Sequence, residues 1–444
     1  MSENRYALKG IVVHTPAFDK IEYHENAYVI CENGVSVGIF DQLPEEYKDI
    51  KVIDYTDKFI IPGMCDMHLH APQYGYRGLG MLLDGQSEWN TWFERYCFPE
   101  EVKYKDLEYA DRAYSRFVND IVKTTTTTRV AAFATIHREA TELLMKKMDD
   151  AGMAGYIGKL NMDRNSFHGY VETTEESIRE TERWLQETVD AYKNIKPIIT
   201  PRYTPTCTDE VMAAIGKMAV KYNVPVMSHL SEGLDEIEWV KQLKPEIKFY
   251  GEAYDMYDML GTTVPSLMAH VVHPTDDEYE LLRHRNCMVA HCPASNMNGA
   301  GGVCRVLDMV RDGIKVGLGT DVAGGPNLSL LRAMTDAIQA SKLRWVFTER
   351  NGEPFAEKRF LSIANAFYLA TMGGGQFFGK VGCFEKGYEF DAVVLDDSDL
   401  KDFNYRPASD RFQRILWSHH AKTIMAKYVK GAFIYDRDRD QMSY

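Results

Sequence analysis

Between Gly63 and Gly319 the chain repeats one pattern, a short run of apolar or β-branched residues followed by a stretch whose apolar positions recur at helical spacing. The strand-like runs are Gly63–Leu69, Thr125–Thr135, Gly155–Leu160, Pro197–Thr200, Val224–Ser228, Ser266–Ala269, Cys287–Ala290 and Lys315–Gly319. Amphipathic helices are expected at Glu175–Tyr192, Asp209–Tyr222, Ser231–Leu243, Asp276–Arg285 and Gly302–Asp312. Apolar runs without polar alternation suit strands buried on both faces, and such strands joined by helices pack as parallel sheets. Eight of these units specify an α/β protein and, among α/β folds, a (β/α)8 TIM-like barrel. A doubly wound nucleotide-binding sheet would need a glycine phosphate loop. Gly374…Gly379-Lys380 imitates one, but Val381 stands where Ser or Thr is required and the segment leads toward a strand.

The two chain ends have a different rhythm. Gly10–Val13, Ala27–Ile30, Val35–Ile39 and Lys58–Ile61 read as short strands, with Asn33-Gly34 as a hairpin turn. Past about Gly379, Asp391–Leu395 and Lys427–Tyr435 read the same way. Residues 1–62 and 376–444 are therefore expected to form one small β-sandwich domain beside a catalytic barrel of residues 63–375.

A formal charge of −14 with no concentrated basic patch argues against nucleic-acid binding. No run of about 18 apolar residues predicts a membrane span, and Met1–Gly10 has no apolar signal core, so a cytoplasmic protein is expected. The eight cysteines include no C-x-x-C pair, which suits reduced thiols, and none is expected to ligate a metal.

Barrel chemistry sits where strands deliver side chains to their C-terminal ends. His68 and His70 lie two apart in the first run and share one face. His229, His270 and Asp321 directly follow the fifth, sixth and eighth runs. Any one of these is more often a satisfied core histidine or a capping aspartate. Five at the ends of four strands point to one centre, where His68, His70, His229 and Asp321 hold zinc or iron(II) and His270 steadies a water. Glu232 lies three residues after His229 and is free to carry a proton. A capping-box role for it fails, because the residue three after Ser231 is Leu234.

Several motifs resemble the amidohydrolase superfamily over nearly the whole chain: Pro62-Gly63…Asp66…His68-Leu69-His70, His229-Leu230-Ser231-Glu232, His270, His291-Cys292-Pro293…Ser295-Asn296, Gly319-Thr320-Asp321 and Gly382…Gly387…Asp391. Within it the chain is most similar to the guanine deaminase branch. That likeness rests on His70-Ala71-Pro72-Gln73-Tyr74, Glu88-Trp89…Tyr96-Cys97-Phe98-Pro99, Thr174–Ile178, Thr200-Pro201-Arg202-Tyr203…Cys207 and Asp321-Val322-Ala323-Gly324-Gly325.

The resemblance implies one zinc per chain, since Thr200-Pro201-Arg202 stands where two-metal relatives carry a bridging lysine. It implies a homodimer acting on a small purine, converting guanine to xanthine and ammonia. Glu232 and Asp321 would move protons, and Gln73, Arg202 and Tyr203 would contact substrate beside His229, Glu232, His270 and Asp321. His291 is expected to shape the pocket. Trp89, Trp92 and Phe93 have the spacing of a core-facing stripe, and His137-Arg138-Glu139 reads as a loop. Two rival readings are a sister hydrolase acting on a triazine, cytosine or adenosine-type substrate, and a non-catalytic relative kept for assembly.

Overall fold

The structure, a computed structural model, describes residues 5–81, 89–167, 169–352 and 357–440; Glu88 lies outside them. The strands fall close to the expected runs. Met64–His70, Thr127–Phe133, Ala154–Gly158 and Ile195–Pro197 form one four-stranded parallel sheet. Val226–Leu230, Ser266–His270, Cys287–His291 and Lys315–Leu318 form a second.

Backbone hydrogen bonds join the two sheets at both sides. The Met227 N–H donates to the Ile199 carbonyl at 2.8 Å and the Ile199 N–H to the Pro225 carbonyl at 2.9 Å. Across the other seam, the Asp321 N–H donates to the His68 carbonyl and the His70 N–H to the Val322 carbonyl, each at 2.8 Å. Most strands are buried along their full length, as expected of strands packed on both faces.

Helices Asp209–Tyr222 and Asp276–His284 lie where the periodicity placed them. The expected Ser231–Leu243 helix begins instead at Leu234. Ser231 has φ 48°, and its carbonyl accepts from Val272 and His273, both at 3.0 Å. This backbone is committed to the end of the neighbouring strand, so Glu232 precedes the helix instead of riding on it. Two more helices are shorter than expected: Thr174–Thr188 and Val306–Arg311. After His137 the expected loop gives way at once to the helix Arg138–Asp150.

The chain ends share one seven-stranded sheet, in the spatial order Ala432–Asp436, Ile424–Val429, Ala392–Leu395, Lys51–Pro62, Arg5–Ala17, Lys20–Glu32, Val35–Phe40. Asn33 and Gly34 both have positive φ, 52° and 82°, the primed turn that the Asn-Gly pair announces. Only Gly63 separates this sheet from the first strand of the parallel sheets. Buried polar contacts tie the two parts together: Arg129 Nε lies 2.6 Å from Asp391 Oδ2, and Lys427 Nζ donates to the carbonyls of Ile121 and Thr127. All eight cysteines are buried and free. Among the described residues no helix is long and apolar enough to cross a membrane.

Candidate active site

The strand ends bring His68, His70, His229, His270 and Asp321 together although they span most of the chain. His68 and His70 alternate on the first strand with Leu69 between them, so both rings turn to the same side. Their Nε2 atoms lie 3.2 and 3.6 Å from Asp321 Oδ1. His70 Nε2 and His229 Nε2 face each other at 3.2 Å.

Two overlapping donor sets result, His68/His70/His229 and His68/His270/Cys292/Asp321, each with its ligand atoms within 4.8 Å of one another. Cys292 is the one member that sequence reading had set aside. Its Sγ contacts the Ala290 carbonyl at 3.5 Å, and burial pushes its thiol well up.

The surrounding hydrogen bonds set the ring orientations. His229 Nδ1 donates to the Arg202 carbonyl at 2.5 Å, which leaves the Nε2 lone pair aimed into the cluster. His270 Nδ1 lies 2.9 Å from Asn296 Oδ1, so its Nε2 faces Glu232 Oε2 at 3.5 Å and Asp321 Oδ2 at 3.8 Å. Neither ring nitrogen of His68 makes a hydrogen bond, though both are buried.

Burial holds His70 and His229 well below the ordinary imidazole range, so both are neutral lone-pair donors at pH 7. Burial works against ionisation of Asp321 too, yet His68 and His270 hold its carboxyl below the usual range. Neutral His70 and His229 beside an ionised carboxylate, with the buried, unbonded His68 ring among them, form a donor set that fits a divalent cation.

Backbone strain marks the same spot. His270 and Asp321 have φ 74° and 47°, conformations that cost a non-glycine residue on the order of 1–3 kcal/mol each. Asp66 anchors the region: its carboxylate accepts from the Thr320 amide at 3.0 Å and the Thr320 hydroxyl at 2.6 Å, locking the first strand to the loop that carries Asp321. Gly319 allows the approach, since a Cβ there would meet Cys292 Sγ and His68 Cβ at 2.9 Å.

A pocket of about 280 Å³ opens beside the cluster, lined by His70, His229, His270 and Asp321 and by Gln73, Arg202, Tyr203 and Glu232. Its lining also includes a buried polar group. Gln73 Nε2 donates to Glu101 Oε1 at 2.8 Å and Cys97 Sγ at 3.0 Å, while Gln73 Oε1 accepts from the Ala323 amide. Arg202 stacks over Phe93 and Phe98, 4.6 and 5.1 Å from their centroids. Its Nη1 is buried without a hydrogen-bond partner, with Glu101 Oε1 at 4.0 Å.

A family model, that of the amidohydrolase family, matches residues 59–425. The chain belongs to the amidohydrolase family. The family is metal-dependent, in keeping with the donor set above. This amidohydrolase is 35% identical to the guanine deaminase of Dictyostelium discoideum, over 95% of this chain and 96% of that one. It is 37% identical to the guanine deaminase of Homo sapiens, over 84% and 82%. A crystal structure of guanine deaminase from C. acetobutylicum with guanine bound in the active site matches with TM-score 0.91 at 39% identity, covering 97% of this chain and 100% of that one.

Three expectations about this amidohydrolase's pocket need correction or addition. Trp92 belongs to the core and Trp89 and Phe93 pack against it, as expected, and all three also line the pocket. His291 lies outside the pocket lining, and its buried ring is held down to about 3 by desolvation. Glu236 and Trp239, which no motif singled out, also line the pocket, from the helix after Glu232. Glu236 accepts from the Tyr250 hydroxyl at 2.8 Å and the Glu232 amide at 3.1 Å, and burial pushes its carboxyl up to about 7.

Proposed function

We propose that this amidohydrolase is a guanine deaminase, hydrolysing guanine to xanthine and ammonia. The observation that carries the reading is that Arg202, buried and stacked on Phe93 and Phe98, lines with Gln73 the same aromatic-walled pocket as the His/Asp cluster. Guanine is flat and neutral with a carbonyl on one edge. A fixed guanidinium suits that oxygen, while Phe93 and Trp89 suit the ring faces. Both Nε2 hydrogens of Gln73 are taken by Glu101 and Cys97, but Oε1 keeps one lone pair, so Gln73 would accept from a ring N–H.

His68, His70, His229 and Asp321 would hold one zinc, with iron(II) as the alternative. Bound there, the cation supplies Lewis acidity and brings the pKa of water to near 7. Glu232 takes one proton from the attacking water and places it on ring N3. Burial pushes its carboxyl up, toward the range where a group both accepts and returns a proton. Asp321, held ionised by its imidazole neighbours, takes the second proton, and Glu232 passes that proton on to the amine as the C2–N bond breaks, so the amine leaves as ammonia. Water's oxygen ends on C2, one hydrogen on N3 and the other on the amine, so the reaction balances. His270 is held by Asn296 and steadies the water, and Tyr203 walls the pocket on the Trp239 side.

We also propose that the two parallel sheets close into one eight-stranded barrel of residues 63–375. The seam hydrogen bonds at Ile199 and at His68 and His70 support this. Residues 1–62 and 376–444 would make a β-sandwich domain; register shifts at Gly10/Val12 and Lys9/Ile11 support a bend that could divide their sheet into layers. The protein would act in the cytoplasm in purine breakdown, as a homodimer. Exposed Leu343, Val346 and Phe347, at helical spacing, support a surface that a second copy covers.

Ammonia release from guanine, adenosine, cytosine and an aminotriazine, assayed side by side, tests the reading. Guanine should be the preferred substrate; preference for another heterocycle would replace guanine, and no release from any of them would favour the non-catalytic relative.

A further inference from the structure

The seven-stranded sheet carries a second cluster of metal-binding side chains. His14 lies directly across from Glu22 in the antiparallel pairing of Arg5–Ala17 with Lys20–Glu32, and His24 is two residues beyond Glu22, so all three project from one face. His14 Nε2 is 3.1 Å and His24 Nε2 3.5 Å from the same atom, Glu22 Oε2. The three ligand atoms lie within 4.8 Å of one another.

Zinc–nitrogen and zinc–oxygen bonds of about 2.0–2.1 Å put the ligands of a tetrahedral ion about 3.4 Å apart. Two of the three edges already have that length. His24 Nε2 is buried and makes no hydrogen bond, a polar atom directed into the cluster without a partner. His14 Nδ1 meets Cys383 Sγ at 3.4 Å, an outer contact that fixes the ring and couples the site to the C-terminal segment. Lys20 pairs with the other oxygen of Glu22 and leaves Oε2 to the two rings.

From this geometry we infer that His14, Glu22 and His24 form a binding site for a divalent transition ion of the zinc class, separate from the catalytic centre. Two imidazoles and one carboxylate make a donor set of zinc type with an open fourth position. The half-exposed side chains of Glu22 and His24 give the ion a route in from solvent. An ion held there would clip the first hairpin of the sheet beside Cys383, at the place where the two chain ends meet.

Equilibrium dialysis of the holoenzyme against micromolar zinc chloride, with zinc counted per folded chain, tests the site. Wild type should take up one more zinc than either His24→Gln or Glu22→Gln, and all three proteins should turn over substrate at the same rate. Equal zinc uptake by wild type and both variants would overturn the inference. So would loss of the extra ion from His70→Ala but not from His24→Gln, which would place that ion at the catalytic centre.

Discussion

Arg202 and Glu101 lie 4.0 Å apart inside the protein, 3% and 1% exposed, and share the polar end of the pocket with Gln73. A buried charge left without its opposite costs several kcal/mol, whereas removing both charges costs far less. Glu101→Gln should therefore destabilise the protein by about 3 kcal/mol, and Glu101→Gln with Arg202→Met should recover most of that loss without recovering guanine turnover. Urea melts of the two single variants and the double variant measure the coupling; strictly additive losses would show that the two charges act independently.

The proposed function gives Arg202 a separate part in binding. Its Nη1 has no hydrogen-bond partner in the protein, so a carbonyl on the ligand would gain a charge-assisted bond of about 1.5–3 kcal/mol. Arg202→Met should raise KM for guanine about 10- to 100-fold by that bond's worth. Steady-state kinetics check it, and an unchanged KM would remove Arg202 from the recognition edge.

The proposed function gives Glu232 proton transfer, not metal binding. Glu232→Gln should keep the metal content of wild type and lose about 10²- to 10⁴-fold in kcat. Metal analysis beside kinetics decides it, since parallel loss of metal would make Glu232 a ligand.

Gly319 lets the last strand pass close to His68. In Gly319→Ala the new Cβ would press on Cys292 Sγ and His68 Cβ at 2.9 Å, a strain of about 1–3 kcal/mol, and it would push His68 off the cluster. Metal per chain and activity should fall together in a protein that still melts cooperatively. Full metal content would show that the strand end yields without moving His68.

Glu278 gives a pH test away from the chemistry. It accepts from the Ser231 hydroxyl at 2.7 Å and the Gly251 amide at 2.6 Å, and burial pushes its carboxyl up to about 7. A carboxyl with a raised folded pKa stabilises most fully below its unfolded pKa, and that contribution is lost as pH rises toward the folded value. Wild type should thus lose about 3 kcal/mol relative to Glu278→Gln between its ordinary range near 4.5 and pH 7. Denaturant melts across that window read it, and a difference independent of pH would contradict the raised value.

The metal-ligand candidates are legible in the sequence because each lies at the end of an apolar strand run or directly after it, where parallel strands joined by helices deliver side chains to a site. His68-Leu69-His70 needed only the two-residue period of a strand. Arg202 and Gln73 come from resemblance alone, and nothing local reveals Glu101, which accepts from Gln73 28 residues before it and faces Arg202 at 4.0 Å. Helical spacing placed Trp89, Trp92 and Phe93 against the core, where they pack, but it could not show that the same rings also line the pocket, because it says that one side of a helix is covered without saying by what. The late start of the helix after Glu232 was hidden for a different reason: it follows from Ser231 bonding across to Val272 and His273, a tertiary contact that overrides helical spacing.

In the proposed reading three strand ends hold one metal through His68, His70, His229 and Asp321, a fourth brings His270 beside it, and this centre deaminates guanine. The most direct measurement follows guanine loss in the ultraviolet while a chelator strips the protein, with metal per chain counted at each step. Xanthine and ammonia should form in equal amounts, with a rate that falls in proportion to bound metal and returns when zinc is restored. Guanine left untouched by protein carrying a full complement of metal would contradict the account.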